Sequence, residues 1–129
     1  VNNHYTIILD GPPGIGCPVI STITGVDKVV IVTEPTISGL SDMQRTVGIV
    51  RKFGIKAFVV INKYDLNLEM SKKIEEWCKQ QEIDMPGCLP FDPAMVEAMV
   101  RSLSIIEYDN DLIISKEIRK IWNRILNEK

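Results

Sequence analysis

Residues 28–62 read KVVIVTEPTISGLSDMQRTVGIVRKFGIKAFVVIN, and this stretch decides the fold. It begins and ends with short, almost continuously apolar runs rich in β-branched residues, Lys28–Thr33 and Lys56–Ile61. Strands that are covered on both faces have this composition. Between them, Ser38–Phe53 places apolar side chains at the spacing of one helix face: Leu40, Met43, Val47 and Val50. A strand, a helix and a second strand in this order predict a parallel pair in an α/β sheet.

The ends of the predicted helix carry their own signals. Ser41 and Gln44 have the spacing of a capping box, which predicts the start of the helix near Ser38. Arg51 and Lys52 fall in its last turn, where positive charge is favourable. Gly54 follows as a C-terminal stop.

The alternation of strands and helices extends over the rest of the chain. The apolar run Tyr5–Leu9 predicts a third parallel core strand. The other expected elements are helices at Val19–Thr24 and Glu69–Gln81, a helix begun by Asp92-Pro93, a helix at Asp111–Leu126, a short strand at Gly87–Pro90 and an edge strand at Ile105–Tyr108. No linker or repeat divides residues 1–129, so we expect one domain.

Composition narrows the classes of function. The 129 residues have a net charge of -2 and no basic cluster with interleaved aromatic residues, so nucleic acid is not an expected direct partner. No apolar run approaches the ~20 residues that span a bilayer, and no export signal is visible. The three cysteines are widely spaced and form no metal-binding pair. These features favour a globular protein of the reducing cytoplasm.

Ligands of open α/β sheets bind beyond the carboxyl ends of the strands, and the loop after the first predicted strand has unusual chemistry there. Asp10 directly follows the apolar run, and Gly14 lies four residues later. P-loop NTPases place an aspartate that holds Mg²⁺, usually through water, at the end of a core strand, and a following glycine can offer its N–H to a γ-phosphate. The alternative is an aspartate that only caps the turn.

The strand Lys56–Ile61 also ends in polar residues, Asn62-Lys63-Tyr64-Asp65, which match the base-reading element N-K-x-D. The amide of Asn62 can both donate to and accept from a purine edge, whereas the carboxylate of Asp65 could accept from guanine N–H groups. A plain Asx turn is the alternative interpretation of these four residues. Taken together with Asp10, the element indicates a nucleotide site.

Three stretches in this order carry a family resemblance: DGPPGIGCPVISTITGVDKVVIVTEPTISGL, VVINKYDLN and LPFDPAMVEAM. They resemble the C-terminal part of MinD/ParA/Mrp P-loop ATPases, in particular the branch with an inserted ferredoxin-like domain that holds two [4Fe-4S] clusters. The resemblance implies that Asp10 is the Mg²⁺-side aspartate, Gly14 the γ-phosphate sensor and Asn62 the adenine reader. It also implies that the loop Pro90-Phe91-Asp92 closes over the base.

The same resemblance implies a mechanism and partners. Such a protein would bind ATP and Mg²⁺ as a face-to-face homodimer and use ATP hydrolysis as a conformational switch. The switch would be coupled to iron–sulfur electron transfer or cluster handling, with a redox or iron–sulfur client protein as partner.

The sequence departs from the family at two features. It has no G-x-x-x-x-G-K-[ST] phosphate loop and no cluster-binding cysteines, and in the family both lie upstream of the strand that ends in Asp10. We therefore expect a C-terminal portion of a MinD/ParA-like domain, inactive alone, with the fold of an incomplete three-layer α/β sandwich. The family's phosphate-loop strand lies between the strands ending in Asp10 and Thr33. Without it, those strands would be separated by a slot or pair directly.

Other interpretations stay open. Asp65 completes a guanine-binding element, which makes a GTPase an alternative. A Rossmann fingerprint at Gly14–Val19 is nearly complete, but Val19 replaces its third glycine. A chain complete as given would be a non-catalytic interaction module, because it could not neutralise a triphosphate. The helix Asp111–Leu126 is amphipathic, as is the terminal helix with which MinD reaches membranes, although core packing is the favoured explanation of its apolar face.

Overall fold

The computed structural model describes residues 6–11 and 17–128, which form an α/β fold. Its elements in chain order are α1 (Cys17–Ile23), β1 (Lys28–Thr33), α2 (Ile37–Lys52), β2 (Lys56–Asn62), a 3₁₀ turn (Tyr64–Leu66), α3 (Leu68–Gln80), β3 (Asp84–Leu89), α4 (Ala94–Val100), α5 (Ile105–Tyr108) and α6 (Ile113–Asn127). None of the helices in this part of the chain is long and apolar enough to cross a membrane.

The three strands form one parallel sheet in the order β1-β2-β3. The central strand β2 is buried on both faces, as its continuous apolar sequence predicts. Ala57, Val59 and Ile61 belong to one core cluster, whereas Phe58 and Val60 belong to another. This alternation assigns the two faces of the sheet to two different sets of helices.

Helices cover both faces and give the expected three-layer arrangement. On one face, α1, α2 and α3 contribute Ile23, Met43, Val47, Val50, Ile74 and Cys78 to the larger cluster. On the other face, Ile121 and Ile125 of α6 pack against Phe58 and Val60. A third cluster joins α4, α5 and α6 through Ala98, Ile105 and Ile114. The predicted fold class is confirmed.

The edge strand β3 contains a proline at an irregularity of the ladder. Phe58 pairs with Asp84 and Val60 with Gly87, so the register shifts around Pro86. Proline has no N–H for a ladder, and bulges on edge strands are where sheets accept it. Gly87 then permits close packing of α6, since a Cβ atom there would lie 2.8 Å from Cγ1 of Ile121. The strand predicted at Gly87–Pro90 exists but begins earlier.

Helix α2 begins before the predicted capping box. Its N-cap is Thr36, whose Oγ1 accepts a hydrogen bond from the Gly39 N–H at 2.9 Å. Ser41 therefore lies inside the helix, and the predicted capping role of Ser41 and Gln44 is wrong. The predicted stop is confirmed, because Gly54 has a φ of 68°.

The predicted edge strand Ile105–Tyr108 is also wrong, because these residues form the single-turn helix α5. Ser104 and Glu107 form a capping box: the Ser104 side chain accepts from the Glu107 N–H at 3.1 Å, and the Glu107 carboxylate accepts from the Ser104 N–H at 3.0 Å. This reciprocal pair satisfies two backbone donors at the helix start, and it prevails over the β-branched composition of the segment.

The first predicted strand, Tyr5–Leu9, is not formed by its described residues 6–9. Ile7 is 79% exposed, and both residues 6–11 and β1 line a groove of about 1240 Å³. Of the two outcomes expected at this edge, direct pairing with β1 does not occur in the described residues, and a groove lies along β1 instead. Residues 6–9 lack strand structure because a strand requires a neighbour for its ladder.

Helix α6 is tied to the sheet by polar contacts at its C-terminal end. Lys28 donates from Nζ to the carbonyl oxygen of Ile125 at 2.6 Å and also to that of Glu128. Arg124 donates to the carbonyl oxygen of Pro86 at 2.7 Å. Cations at a helix C-terminus satisfy carbonyl groups that have no partner in the helix. The isoleucine face of α6 packs in the core through Ile114, Ile121 and Ile125. Core packing was the favoured explanation of this face over membrane binding.

Cys78 of α3 has no exposed surface, and burial raises its pKa from 9.0 to about 11. We expect its thiol at pH 8 to react with a disulfide reagent about 100-fold more slowly in the native protein than in urea, because the thiolate is the reactive form. Burial of the neutral Cys78 thiol contributes fully to the free energy of unfolding below pH 9. This contribution is lost as the pH rises from about 9 to about 11. Peptide mapping by mass spectrometry measures the two rates; equal rates would contradict the packing of α3.

Candidate functional site

The loops after the three strands meet at one edge of the sheet because the strands are parallel. They are residues 34–36, 63–67 and 90–93. Asp10 lines the same groove as Thr33, Glu34 and Gly39, which lie at the carboxyl end of β1 and the start of α2. The candidate site thus consists of three strand-to-helix loops and the groove that Asp10 lines.

The loop after β1 is held by a compact set of hydrogen bonds. Thr33 is buried, and its Oγ1 donates to the carbonyl oxygen of Gly39 at 2.9 Å. The N–H of Gly39 donates a hydrogen bond to Oγ1 of Thr36 at 2.9 Å. A Cβ atom on Gly39 would overlap the carbonyl oxygen of Glu34. The backbone of the loop and the first turn of α2 therefore form one closely packed unit.

The loop after β2 turns sharply at Lys63, which has the left-handed conformation φ 56°, ψ 42°. The Leu66 N–H donates to the Lys63 carbonyl oxygen at 3.1 Å, which closes the 3₁₀ turn. Ser71 of α3 donates from Oγ to the Tyr64 carbonyl oxygen at 2.7 Å. At the start of α3, Asn67 accepts from the Met70 N–H at 3.0 Å. These contacts fix the N-K-Y-D turn between β2 and α3.

Asn62 itself is the last residue of β2 and pairs in the sheet with Leu89. Its side chain is half-buried and forms no hydrogen bond to any other residue in the described ranges 6–11 and 17–128. The Asx turn considered for this element therefore does not involve the Asn62 side chain. The amide keeps a donor and an acceptor for a ligand.

The loop after β3 is connected to the N-K-Y-D turn by Asp65. Its Oδ1 accepts from the Phe91 N–H at 2.8 Å, across a sequence separation of 26 residues. Asp92 accepts from the Ala94 N–H at 2.9 Å, so its side chain fixes the entry into α4, although the helix begins at Ala94 with Pro93 as its N-cap, one residue later than predicted. The Phe91 ring is 47% exposed, and Pro90 is half-buried. The structure thus brings the base-side residues Asn62, Asp65, Phe91 and Asp92 to one place.

An ion pair links the groove side of the site to the base side. Lys63 Nζ lies 3.5 Å from Glu34 Oε1, and both side chains are about half exposed. Such a pair contributes less than ~1 kcal/mol to stability, so its effect is on the placement of the two loops. Sequence reasoning did not pair these residues; the available signal is that opposite charges follow adjacent parallel strands within one or two residues.

The predicted residues occupy two parts of the edge. Asp10 is exposed at the groove, whereas Asn62, Asp65 and the loop Pro90-Phe91-Asp92 lie around the second and third strands. Gly14, the expected γ-phosphate sensor, lies outside the described residues. Glu34 belongs to both parts, because it lines the groove and pairs with Lys63.

The groove offers a metal ion only single carboxylates, such as that of Asp10. Within the described residues, no group of three or more His, Cys, Asp or Glu side chains could hold an ion. Mg²⁺ commonly takes only one or two carboxylates and receives its other ligands from water and substrate phosphates, which Asp10 suits. An iron–sulfur cluster requires a set of cysteines. Cys78 is buried and Cys88 lies on β3, so these two do not form one.

Comparisons with known proteins agree with this architecture. The ParA family model, described as NUBPL iron-transfer P-loop NTPase, matches residues 4–126. An uncharacterized protein of Methanocaldococcus jannaschii is 34% identical over 108 residues, which are 81% of this chain and 34% of that protein. The chloroplastic septum site-determining protein MinD homolog of Arabidopsis thaliana is 26% identical over 104 residues, or 78% of this chain and 32% of that protein.

Solved structures show the same fold. The septum site-determining protein MinD of Pyrococcus horikoshii, complexed with Mg-ADP, has a TM-score of 0.78 at 19% identity, covering 92% of this chain and 49% of that one. MinD of Aquifex aeolicus has a TM-score of 0.75 at 23% identity, covering 92% of this chain and 52% of that one. The chain spans about a third of the length of the two curated relatives and about half of each structure.

Proposed function

Because the chain belongs to the ParA family of P-loop NTPases, we propose that it carries the Mg²⁺-side and base-side loops of an ATP site. The observation that carries this proposal is the arrangement at the carboxyl edge of the sheet. There the Asn62 side chain lies at the end of β2, with its amide free to hydrogen-bond a ligand. The Asp65–Phe91 hydrogen bond holds the loop 90–93 beside it. A site with these groups can read a purine edge.

Each loop has a proposed role. Asn62 reads adenine, and the Pro90-Phe91-Asp92 loop covers the base. Asp10 holds Mg²⁺ through water, and Gly14 contacts the γ-phosphate. The bound Mg²⁺ would supply charge neutralisation at the phosphates, which none of these loops supplies. No lysine of this sequence lies in a G-x-x-x-x-G-K-[ST] phosphate loop, so none is assigned to the phosphates.

At the level of the whole protein, we propose ATP hydrolysis that acts as a conformational switch in a homodimer. The description of the matching family names iron transfer, and a redox or iron–sulfur client is the corresponding proposed partner. Cys78 and Cys88 do not fit a cluster, so no step of the switch is assigned to these two residues.

Calorimetry with MgATP tests the proposal on this 129-residue chain and on the uninterrupted reading frame that contains it. We expect binding by the longer protein and none by the chain alone. In the longer protein, Asn62→Ala should weaken ATP binding about tenfold, because a base hydrogen bond is lost. The control is Asn123→Ala on α6, where Asn123 lines a separate cavity with Asp84 at the amino end of β3.

The outcomes separate the alternatives. Binding by the short chain would contradict the proposal that the phosphate site lies elsewhere. If neither protein binds a nucleotide, the proposal is wrong and the interaction module becomes the better explanation.

A further inference from the structure

Asp65 is the residue whose structural contact differs most from the role its motif suggests. In an N-K-x-D element, the aspartate is expected to accept hydrogen bonds from a guanine base. Here its Oδ1 accepts from the backbone N–H of Phe91 at 2.8 Å. A hydrogen bond between a backbone donor and a carboxylate is stronger than one between neutral groups. The carboxylate is therefore already engaged inside the protein.

The backbone around Asp65 is fixed, so this contact does not depend on a mobile loop. The left-handed Lys63 and the Leu66-to-Lys63 hydrogen bond define the turn, and Ser71 holds the Tyr64 carbonyl oxygen from α3. The preceding residue pair of the sheet, Asn62 and Leu89, sets the distance between the two loops. Asp65 therefore projects from a rigid turn toward the loop after β3.

Asp65 contacts the loop 90–93, which is also held by a side-chain hydrogen bond of Asp92. Asp92 fixes the Ala94 N–H at the start of α4, and Asp65 fixes the Phe91 N–H on the other side of Asp92. Between these anchors the Phe91 ring stays half exposed, on the loop next to the Asn62 amide. A half-exposed aromatic ring held by its backbone provides a stacking surface for a flat base.

We infer that Asp65 is a positioning residue that holds the Phe91 loop at the base site. The inference rests on the proposed nucleotide-binding function. Guanine has adjacent N–H donors, which can donate hydrogen bonds to the two oxygens of a carboxylate. The Phe91 N–H occupies only one acceptor position of Asp65 Oδ1, so base reading by Asp65 is the alternative that the test must exclude. Adenine presents one donor beside one acceptor, which the Asn62 amide matches without disturbing Asp65.

The test compares Asp65→Ala and Asp65→Asn in the uninterrupted reading frame. The first variant removes the acceptor, whereas the second keeps an amide oxygen that can still accept from Phe91. The control is Asp109→Ala, because Asp109 also accepts from a backbone N–H, that of Asp111 at 2.9 Å, in the loop between α5 and α6. Two readouts are used: the amide hydrogen exchange of Phe91 without nucleotide, and calorimetric affinities for ATP, GTP and xanthosine triphosphate.

We expect Asp65→Ala to speed Phe91 exchange and to weaken ATP binding, each about tenfold, while Asp65→Asn stays within about threefold of the wild type. The wild type should prefer ATP to GTP, and Asp65→Asn should gain no xanthosine triphosphate binding. Unchanged Phe91 exchange in Asp65→Ala would overturn the positioning role. A switch from GTP to xanthosine triphosphate in Asp65→Asn would overturn the inference, because it would mean that Asp65 reads the base.

The failure of the proposed function has a different signature. In that case the wild type binds no nucleotide even though Asp65→Ala speeds Phe91 exchange, which overturns the ATP proposal and, with it, the placement of the Phe91 loop at a base site.

Discussion

Replacing Gly39 by alanine is expected to lower the free energy of unfolding by about 3 kcal/mol, because the loop after β1 has no room for a methyl group. A Cβ atom at this position would overlap the Glu34 carbonyl oxygen and lie 2.9 Å from Thr36 Oγ1 and 3.0 Å from Thr33 Oγ1. The carbonyl group belongs to the backbone and cannot rotate away. Relief of the overlap must therefore move the loop and break the hydrogen bonds that Gly39 makes with Thr33 and Thr36.

Gly48 in the same helix provides the matched control. A Cβ atom on Gly48 meets nothing within 4 Å, so Gly48→Ala should follow helix propensity alone and stabilise the protein by about 0.5–1 kcal/mol. Denaturation with urea measures both free energies. The two substitutions are chemically identical, and opposite signs are expected. A stabilising effect of both would contradict the close packing of the loop against α2.

The elements predicted best are those whose own apolar pattern shows that they are buried. The continuous apolar run of β2 and the period of α2 each identify a buried element without knowledge of its partners. The start of α2 was less predictable, because both Thr36 and Ser41 are acceptable N-caps. Which of the two residues becomes the N-cap depends on the turn after β1. There Thr36 accepts a hydrogen bond from the Gly39 N–H, and Thr33 donates one to the Gly39 carbonyl oxygen.

Two predicted strands failed for different physical reasons. Ile105–Tyr108 has a strand-like composition, but the capping box of Ser104 and Glu107 supplies local hydrogen bonds to a helix. Residues 6–9 also have a strand-like composition, and there the reason is not local. A strand is defined by its neighbour, and the groove separates this segment from β1.

At the candidate site, sequence identified positions better than roles. Asn62, Asp65 and Asp92 were selected because polar residues follow apolar strands, and the parallel sheet brings their loops together. The bond from Asp65 to the Phe91 backbone could not be predicted, because any exposed N–H nearby could be its donor. The Glu34–Lys63 ion pair likewise requires knowledge that β1 and β2 are neighbours.

The second large effect is expected at Asp10. In the uninterrupted reading frame, Asp10→Asn should lower Mg²⁺-dependent ATP hydrolysis about 100-fold or more, because the amide keeps the size of the side chain but loses the charge that attracts Mg²⁺. Asp10 is exposed and lines the groove that also includes Glu34 and Gly39. A carboxylate in this place can reach a metal bound to a nucleotide, whereas it has no visible part in the core.

Asp27→Asn is the matched control, since Asp27 is exposed and lines the same groove just before the amino end of β1. Two measurements distinguish a metal-side role from a general disturbance of the groove: the rate of hydrolysis, and calorimetric ATP binding with and without Mg²⁺. Asp10→Asn should lose the gain in affinity that Mg²⁺ provides and keep the affinity measured without it, while Asp27→Asn changes neither. Equal losses in both variants would mean that the groove responds to charge as a whole. Hydrolysis by Asp10→Asn at the wild-type rate would show that the Mg²⁺-side carboxylate is a different residue.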